Sequence, residues 1–133
     1  MSEHHFHAVV WIDHHEARIF YFSRSDANEI VVRPKDPTRH IHHKANTMGS
    51  GHAPEDPDFL QRVTDALADA GAILVLGPAN EKLALLNHID RRAPALKSKI
   101  RGVETADHPT DGEILALARR FFKDDHLEPP RVQ

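Results

Sequence analysis

The sequence contains no cysteine, which excludes disulfides, thiolate zinc sites and cysteine nucleophiles together. It has no apolar run approaching the roughly 18 residues that a membrane helix needs, so no span across a bilayer is expected. The opening MSEHHFHAVVWIDHHE lacks the basic start and long apolar stretch of a secretory signal, and a cytoplasmic protein is expected. No internal repeat and no low-complexity segment interrupts the chain. A net charge of −3 with neutral histidines gives no global argument for a nucleic-acid partner. What remains is ordinary for a globular protein, with 40% hydrophobic and 28% charged residues. The 133 residues fit one domain, expected over 1–133 with a core of about 7–122, a long loop at 34–56 and a frayed tail at 124–133.

Twelve histidines are the outlier. Below about pH 6.5 their protonation moves the net charge upward. Three of them fall in RHIHHK, residues 39–44, closely followed by GSGH, residues 49–52. Where that stretch sits depends on the elements around it.

Ala8–Ile12 (AVVWI) is a short apolar, β-branched and aromatic run, the mark of a buried strand. Ala17–Phe22 (ARIFYF) reads as a second strand, joined to the first through the polar Asp13-His14-His15-Glu16. Glu29–Arg33 is a third, ended by Pro34. Asp56 followed by Pro57 predicts a helix start, with apolar residues from Phe59 to Ala70 at helical spacing and Gly71 as the stop. Ala72–Leu76 (AILVL) is a continuous apolar run, as in a strand covered on both faces. Gly77-Pro78 ends it, and a helix is predicted over Asn80–Arg92 with Leu83, Leu86 and Ile89 inward. Lys99–Thr105 is a weaker fifth strand. Thr110–Glu113 (TDGE) has capping-box spacing and opens a helix through Phe122, with Ile114, Leu117 and Phe121 on one face.

Two hairpins make the first three strands antiparallel, and the later strands alternate with helices by right-handed crossovers. The expected fold is therefore α/β: a mixed five-stranded sheet in the order 3-2-1-4-5 with helices on its faces, a ribonuclease-H-like arrangement. In that order strands one, three, four and five point the same way. Their carboxyl ends then gather Asp13-His14, the 34–56 loop, Gly77-Pro78 and Asp107-His108 at one edge, where ligand crevices of open α/β sheets lie.

Three segments, HAVVWIDHHEARIFYF, LVLGPANEKLALLNHI and VETADHPTDGEILALARRFF, resemble a family of small bacterial translational machinery proteins. More distantly, the chain is similar to the central domain of archaeal and eukaryotic peptide chain release factor subunit 1 and of Pelota. In that domain a strand ending in Gly-Pro precedes a Lys-bearing helix, matched here by Gly77, Pro78 and Lys82. The resemblance covers about residues 7–122. It implies a ribosomal or tRNA partner. It also implies that the loop between the third strand and the first long helix stands where the release factor carries its Gly-Gly-Gln tip. Here that loop holds no glutamine; its nearest counterpart is Gly49-Ser50-Gly51-His52, so peptide-release chemistry does not carry over.

The loop itself has local charge. From Arg33 to Lys44 the net charge is +3 before the histidines are counted, a patch suited to phosphate contacts. The expected RNA-binding set is Arg33, Lys35, Arg39, His40, His42, His43, Lys44, Gly49, Gly51 and His52. Metal binding is the lesser expectation. Imidazole is a common ligand, yet no motif such as HExxH is present, and weak or adventitious zinc or nickel is expected rather than a cofactor. Alternative metal candidates are Asp13, His14, Asp107 and His108. A metal-dependent hydrolase or nuclease would set Asp13, Asp107 and Asp111 around magnesium at the sheet edge. Turn and helix-start roles explain Asp13 and Asp111 more simply. A second basic cluster, Arg91, Arg92, Lys97, Lys99 and Arg101, reads as a solvated face. The expectation is a non-catalytic, translation-associated protein that binds ribosome or tRNA, as a monomer or weak homodimer, away from membranes.

Overall fold

The computed structural model describes residues 6–35 and 56–124. Five strands, β1 (His7–Ile12), β2 (Ala17–Phe22), β3 (Ala27–Val32), β4 (Ala72–Gly77) and β5 (Ile100–Thr105), form one sheet in the order β3-β2-β1-β4-β5. The β1–β2 and β2–β3 pairs are antiparallel; β1–β4 and β4–β5 are parallel. The expected strand order and α/β class are both met. Among the described residues four helices accompany the sheet: α1 (Pro57–Ala66), α2 (Glu81–Arg92), the short α3 (Pro94–Lys97) and, after the last strand, α4 (Asp111–Asp124). No helix among the described residues is long and apolar enough to cross a membrane.

β1 and β4 are buried at every position, because each is flanked by strands and covered on both faces. Alternate side chains go to opposite sides of a strand, so the apolar runs feed two cores. On one face Ala8, Val10, Ile12, Ile73 and Val75 meet Phe59, Leu60 and Val63 of α1 and Leu85 and Ile89 of α2. On the other, Val9, Trp11, Leu74 and Leu76 meet Ile114, Ala118 and Phe122 of α4.

The helix starts follow the sequence signals. Asp56, buried, accepts a 3.1 Å hydrogen bond from the Phe59 amide, with Pro57 in the first turn. The capping box closes in both directions: the Glu113 amide donates to Thr110 Oγ1 (3.1 Å) and the Thr110 amide to Glu113 Oε1 (2.8 Å).

Several details differ from expectation. β3 begins two residues earlier, at Ala27. α1 ends at Ala66 with Leu67 as its C-cap, so Gly71 is not the helix stop. Instead Gly71 lies under the Phe6 ring, where a Cβ would collide with the ring edge, and its amide donates to the Phe6 carbonyl (2.8 Å). In α2, Leu83 is 49% exposed, while Leu85, His88 and Ile89 are buried and Leu86 is only partly so. The buried imidazole is satisfied by Gln61 Oε1, 2.8 Å from His88 Nε2. In α4 the buried line is Ile114, Ala118 and Phe122, with Leu117 and Phe121 at its flanks.

Candidate functional site

β1, β3, β4 and β5 run in one direction, so the residues after them meet at a single edge of the sheet. Asp13, directly after β1, builds the tight connection to β2. Its Oδ1 accepts from the amides of His15 (2.8 Å) and Glu16 (3.0 Å), and its own amide donates to the Glu16 carbonyl (3.0 Å). Its other oxygen, Oδ2, lies 3.6 Å from His108 Nε2, and His108 Nδ1 lies 3.2 Å from Asp107 Oδ1. The sheet order thus brings Asp13, Asp107 and His108 together from positions nearly a hundred residues apart.

His14 points elsewhere. Its Nδ1 is 2.8 Å from Oε1 of Glu81, a carboxylate buried at the first residue of α2. A carboxylate is favoured there by the exposed amides of the helix start. The contact with Glu81 raises the His14 pKa above the ordinary imidazole value; partial burial opposes this, and the charges of Glu81 and Asp13 add to it. The four metal candidates therefore fall into two groupings, Asp13–His108–Asp107 and His14–Glu81. Among the described residues no three or more His, Asp or Glu side chains are gathered to hold a metal ion.

Three residues that sequence reasoning did not place in the site organise this edge. The Arg18 guanidinium lies 4.7 Å from the centre of the Trp11 ring. Its Nη1 donates to Asp111 Oδ1 (2.8 Å), its Nη2 donates to the Pro109 carbonyl (3.1 Å), and its Nε is 3.5 Å from Glu16 Oε2. Trp11, 1% exposed, donates from Nε1 to the Ala106 carbonyl (2.9 Å). Together Trp11 and Arg18 hold the β5–α4 connection against β1 and β2, and a cation over an indole face adds attraction to the packing. Asp111 is consumed in this clamp, and Asp13 in its turn. Arg18 is visible in the sequence as the lone charge inside ARIFYF, and Glu81, the third, as the acid opening α2 after Gly77-Pro78; their partners are not visible.

Of the expected RNA-binding residues, Arg33 and Lys35 are described. Both stand at the point where the chain leaves β3, with side chains 68% and 73% exposed. Arg33 Nη2 is 3.3 Å from Glu16 Oε1, and Lys35 Nζ is 3.9 Å from Asp58 Oδ1. Arg62 ties this exit to the re-entry at α1: its Nε donates to Asp58 (3.0 Å) and its Nη2 to the Arg33 carbonyl (2.7 Å). Arg39, His40, His42, His43, Lys44, Gly49, Gly51 and His52 lie outside the described residues. The second basic cluster sits at the opposite edge, where α2 ends and β5 begins, and there Lys97 Nζ donates to Asp90 (2.8 Å).

No protein-family model and no curated protein sequence matches this chain. Solved structures do match. Pelota from Archaeoglobus fulgidus superposes with a TM-score of 0.63 at 16% identity, over 92% of this chain and 33% of that one. Pelota from Thermoplasma acidophilum gives 0.57 at 16% identity, over 89% of this chain and 31% of that one. Dom34 from S. cerevisiae, described as a translation termination-like factor involved in RNA quality control pathways and interacting with Hbs1, gives 0.52 at 11% identity, over 91% and 39%. This chain spans about a third of the length of the solved structures it matches. At these identities the likeness is one of fold, and the fold is that of a portion of Pelota.

Proposed function

We propose that this protein is a non-catalytic, translation-associated binding protein that contacts the ribosome or tRNA through the basic loop 34–56. The observation that carries this reading is the fold shared with Pelota and Dom34 across about nine-tenths of the chain. The loop joins β3 to α1, so it leaves and rejoins the sheet at the carboxyl edge. Arg33 and Lys35 stand exposed at its mouth, and the stretch from Arg33 to Lys44 carries a net charge of +3. Their contacts with Glu16 and Asp58 are exposed ion pairs, worth about 0–1 kcal/mol each, and a phosphate displaces them at little cost. With no glutamine in the loop, its role is recognition rather than peptide release. A cytoplasmic location goes with this reading.

The test is co-sedimentation with ribosomes across a potassium chloride series. Wild-type protein is expected in the ribosomal pellet at low salt and lost from it as salt rises. Neutralising Arg33, Lys35, Arg39 and Lys44 to glutamine should weaken binding and flatten the salt dependence, by about one unit of logarithmic slope per phosphate contact removed. Sedimentation unchanged in that variant overturns the reading.

A further inference from the structure

The sheet has two edges, and they are finished differently. On β5 the pairing with β4 slips between Ile73 and Leu74, leaving Arg101 at the irregularity between Ile100 and Gly102. A bulge with a charged residue is a common way to blunt an edge. β3 has no such device within its span: it pairs with β2 in unbroken register from Ala27 to Val32. Asn28, Glu29, Ile30 and Val31 are all exposed, with Ile30 at 39% and Val31 at 40%. Among the described residues no backbone hydrogen bond ties Asn28–Val31 to an element other than β2.

The sequence of this edge is complementary to itself. Glu29 and Val31 lie on one side of the strand, the side that carries Phe20 and Arg18 of β2. Arg33, one residue past the end of β3, follows in the same alternation, with its guanidinium 3.3 Å from the carboxylate of Glu16. Within one chain Glu29 and Arg33 are about 13 Å apart along the strand, too far to pair. In an antiparallel ribbon centred on Val31 each Glu29 lies directly opposite Arg33 of the other copy, Val31 faces Val31, and Ile30 faces Val32. Centring on Glu29 sets two carboxylates against each other, and centring on Ile30 leaves both charges opposite apolar or small residues. Opposed charges across a strand pair attract and like charges repel, so charge favours Val31 over Glu29 and Ile30 as the centre. Centring on Val32 would set Glu29 opposite Lys35 but would draw Pro34 in opposite Ile30, where its missing N–H breaks the ladder. Pro34, which has no N–H, ends the ribbon.

We infer that β3 is the interface of a two-fold dimer, in which two copies pair β3 with β3 around Val31 to form one continuous ten-stranded sheet. The interface is isologous, so each contact occurs twice. It does not rest on the RNA-binding reading but shares Arg33 with it, and the cross-linking arm, which leaves Arg33 unchanged, keeps the two separable.

Absence of cysteine from the chain permits a clean test. Three single variants, Glu29→Cys, Ile30→Cys and Val31→Cys, are oxidised with a copper–phenanthroline and dioxygen couple at a concentration where wild-type protein sediments as a dimer. Only facing residues bring their Cβ atoms close enough for a disulfide, so Val31→Cys should cross-link at least about tenfold faster than the other two. In parallel, Glu29→Lys alone should raise the dimer dissociation constant about tenfold, and Glu29→Lys with Arg33→Glu should restore it toward the wild-type value. Circular dichroism confirms that each variant is folded. Wild-type protein that remains monomeric to millimolar concentration, or cross-linking fastest at position 29 or 30, overturns the inference.

Discussion

At the scale of single residues, close approach and charge placement carry most of the specificity. Gly77 ends β4 where a Cβ would stand 2.5 Å from the Ile12 carbonyl oxygen. That neighbour is backbone of the central strand and cannot swing away. Gly77→Ala is therefore expected to cost about 1–3 kcal/mol, read as a lower denaturant midpoint at unchanged slope. His14 makes a different prediction. Its pKa is raised above 6.5 in the folded protein, so its stabilising contribution is complete below pH 6.5 and is lost as pH rises through the folded value. The side chain is 40% exposed, which keeps the effect below about 1 kcal/mol. Thermal unfolding of wild type and His14→Gln from pH 5.5 to 8.5 should show a gap that narrows toward the alkaline end. A constant gap would show that Glu81 does not sense the imidazole charge.

At the scale of elements, the helix starts are the most independent units. Thr110→Ala removes the hydroxyl that accepts the Glu113 amide and is expected to cost about 1 kcal/mol of unfolding free energy. Arg119, from the middle of α4, donates to the Ser23 carbonyl (2.9 Å) and the Asp26 carbonyl (3.0 Å). Arg119→Ala should accordingly raise hydrogen exchange in the β2–β3 turn while leaving β4 amides protected. These local features were also what the sequence displayed best. The capping box, the Asp56-Pro57 start, the strand runs and the strand order could all be read from residue type and spacing. Which leucine of α2 faces the sheet could not. Leu83, Leu85 and Leu86 spread over a wide arc, and the buried face of the helix includes the polar His88, whose Nε2 lies 2.8 Å from Gln61 Oε1 of α1. The same holds for the site: Asp13 and His108 were legible as neighbours from topology, whereas the Arg18 clamp and the Glu81 partner of His14 depend on contacts across the fold that no local pattern encodes.

At the scale of the whole molecule, the two cores are closed by different parts of the chain. The α1–α2 side draws its helices from the middle of the sequence, and among the described residues the helical cover of the other side is α4. Phe122→Ala, at the end of that cover, is expected to cost about 3–5 kcal/mol and to expose apolar surface that binds a hydrophobic dye, while the α1 side stays protected from exchange. Synthesis order gives this asymmetry a further meaning. Val9 and Trp11 are synthesised about a hundred residues before Ile114 and Ala118, which cover them. Contacts of such long separation form slowly, so covering of this side by α4 is expected to be a late step of folding, checked by the order in which β1 and α4 amides gain exchange protection during refolding. A chain cut before Asp111 is accordingly expected to leave Val9, Trp11, Leu74 and Leu76 without their α4 partners, and to bind a hydrophobic dye that the full chain does not.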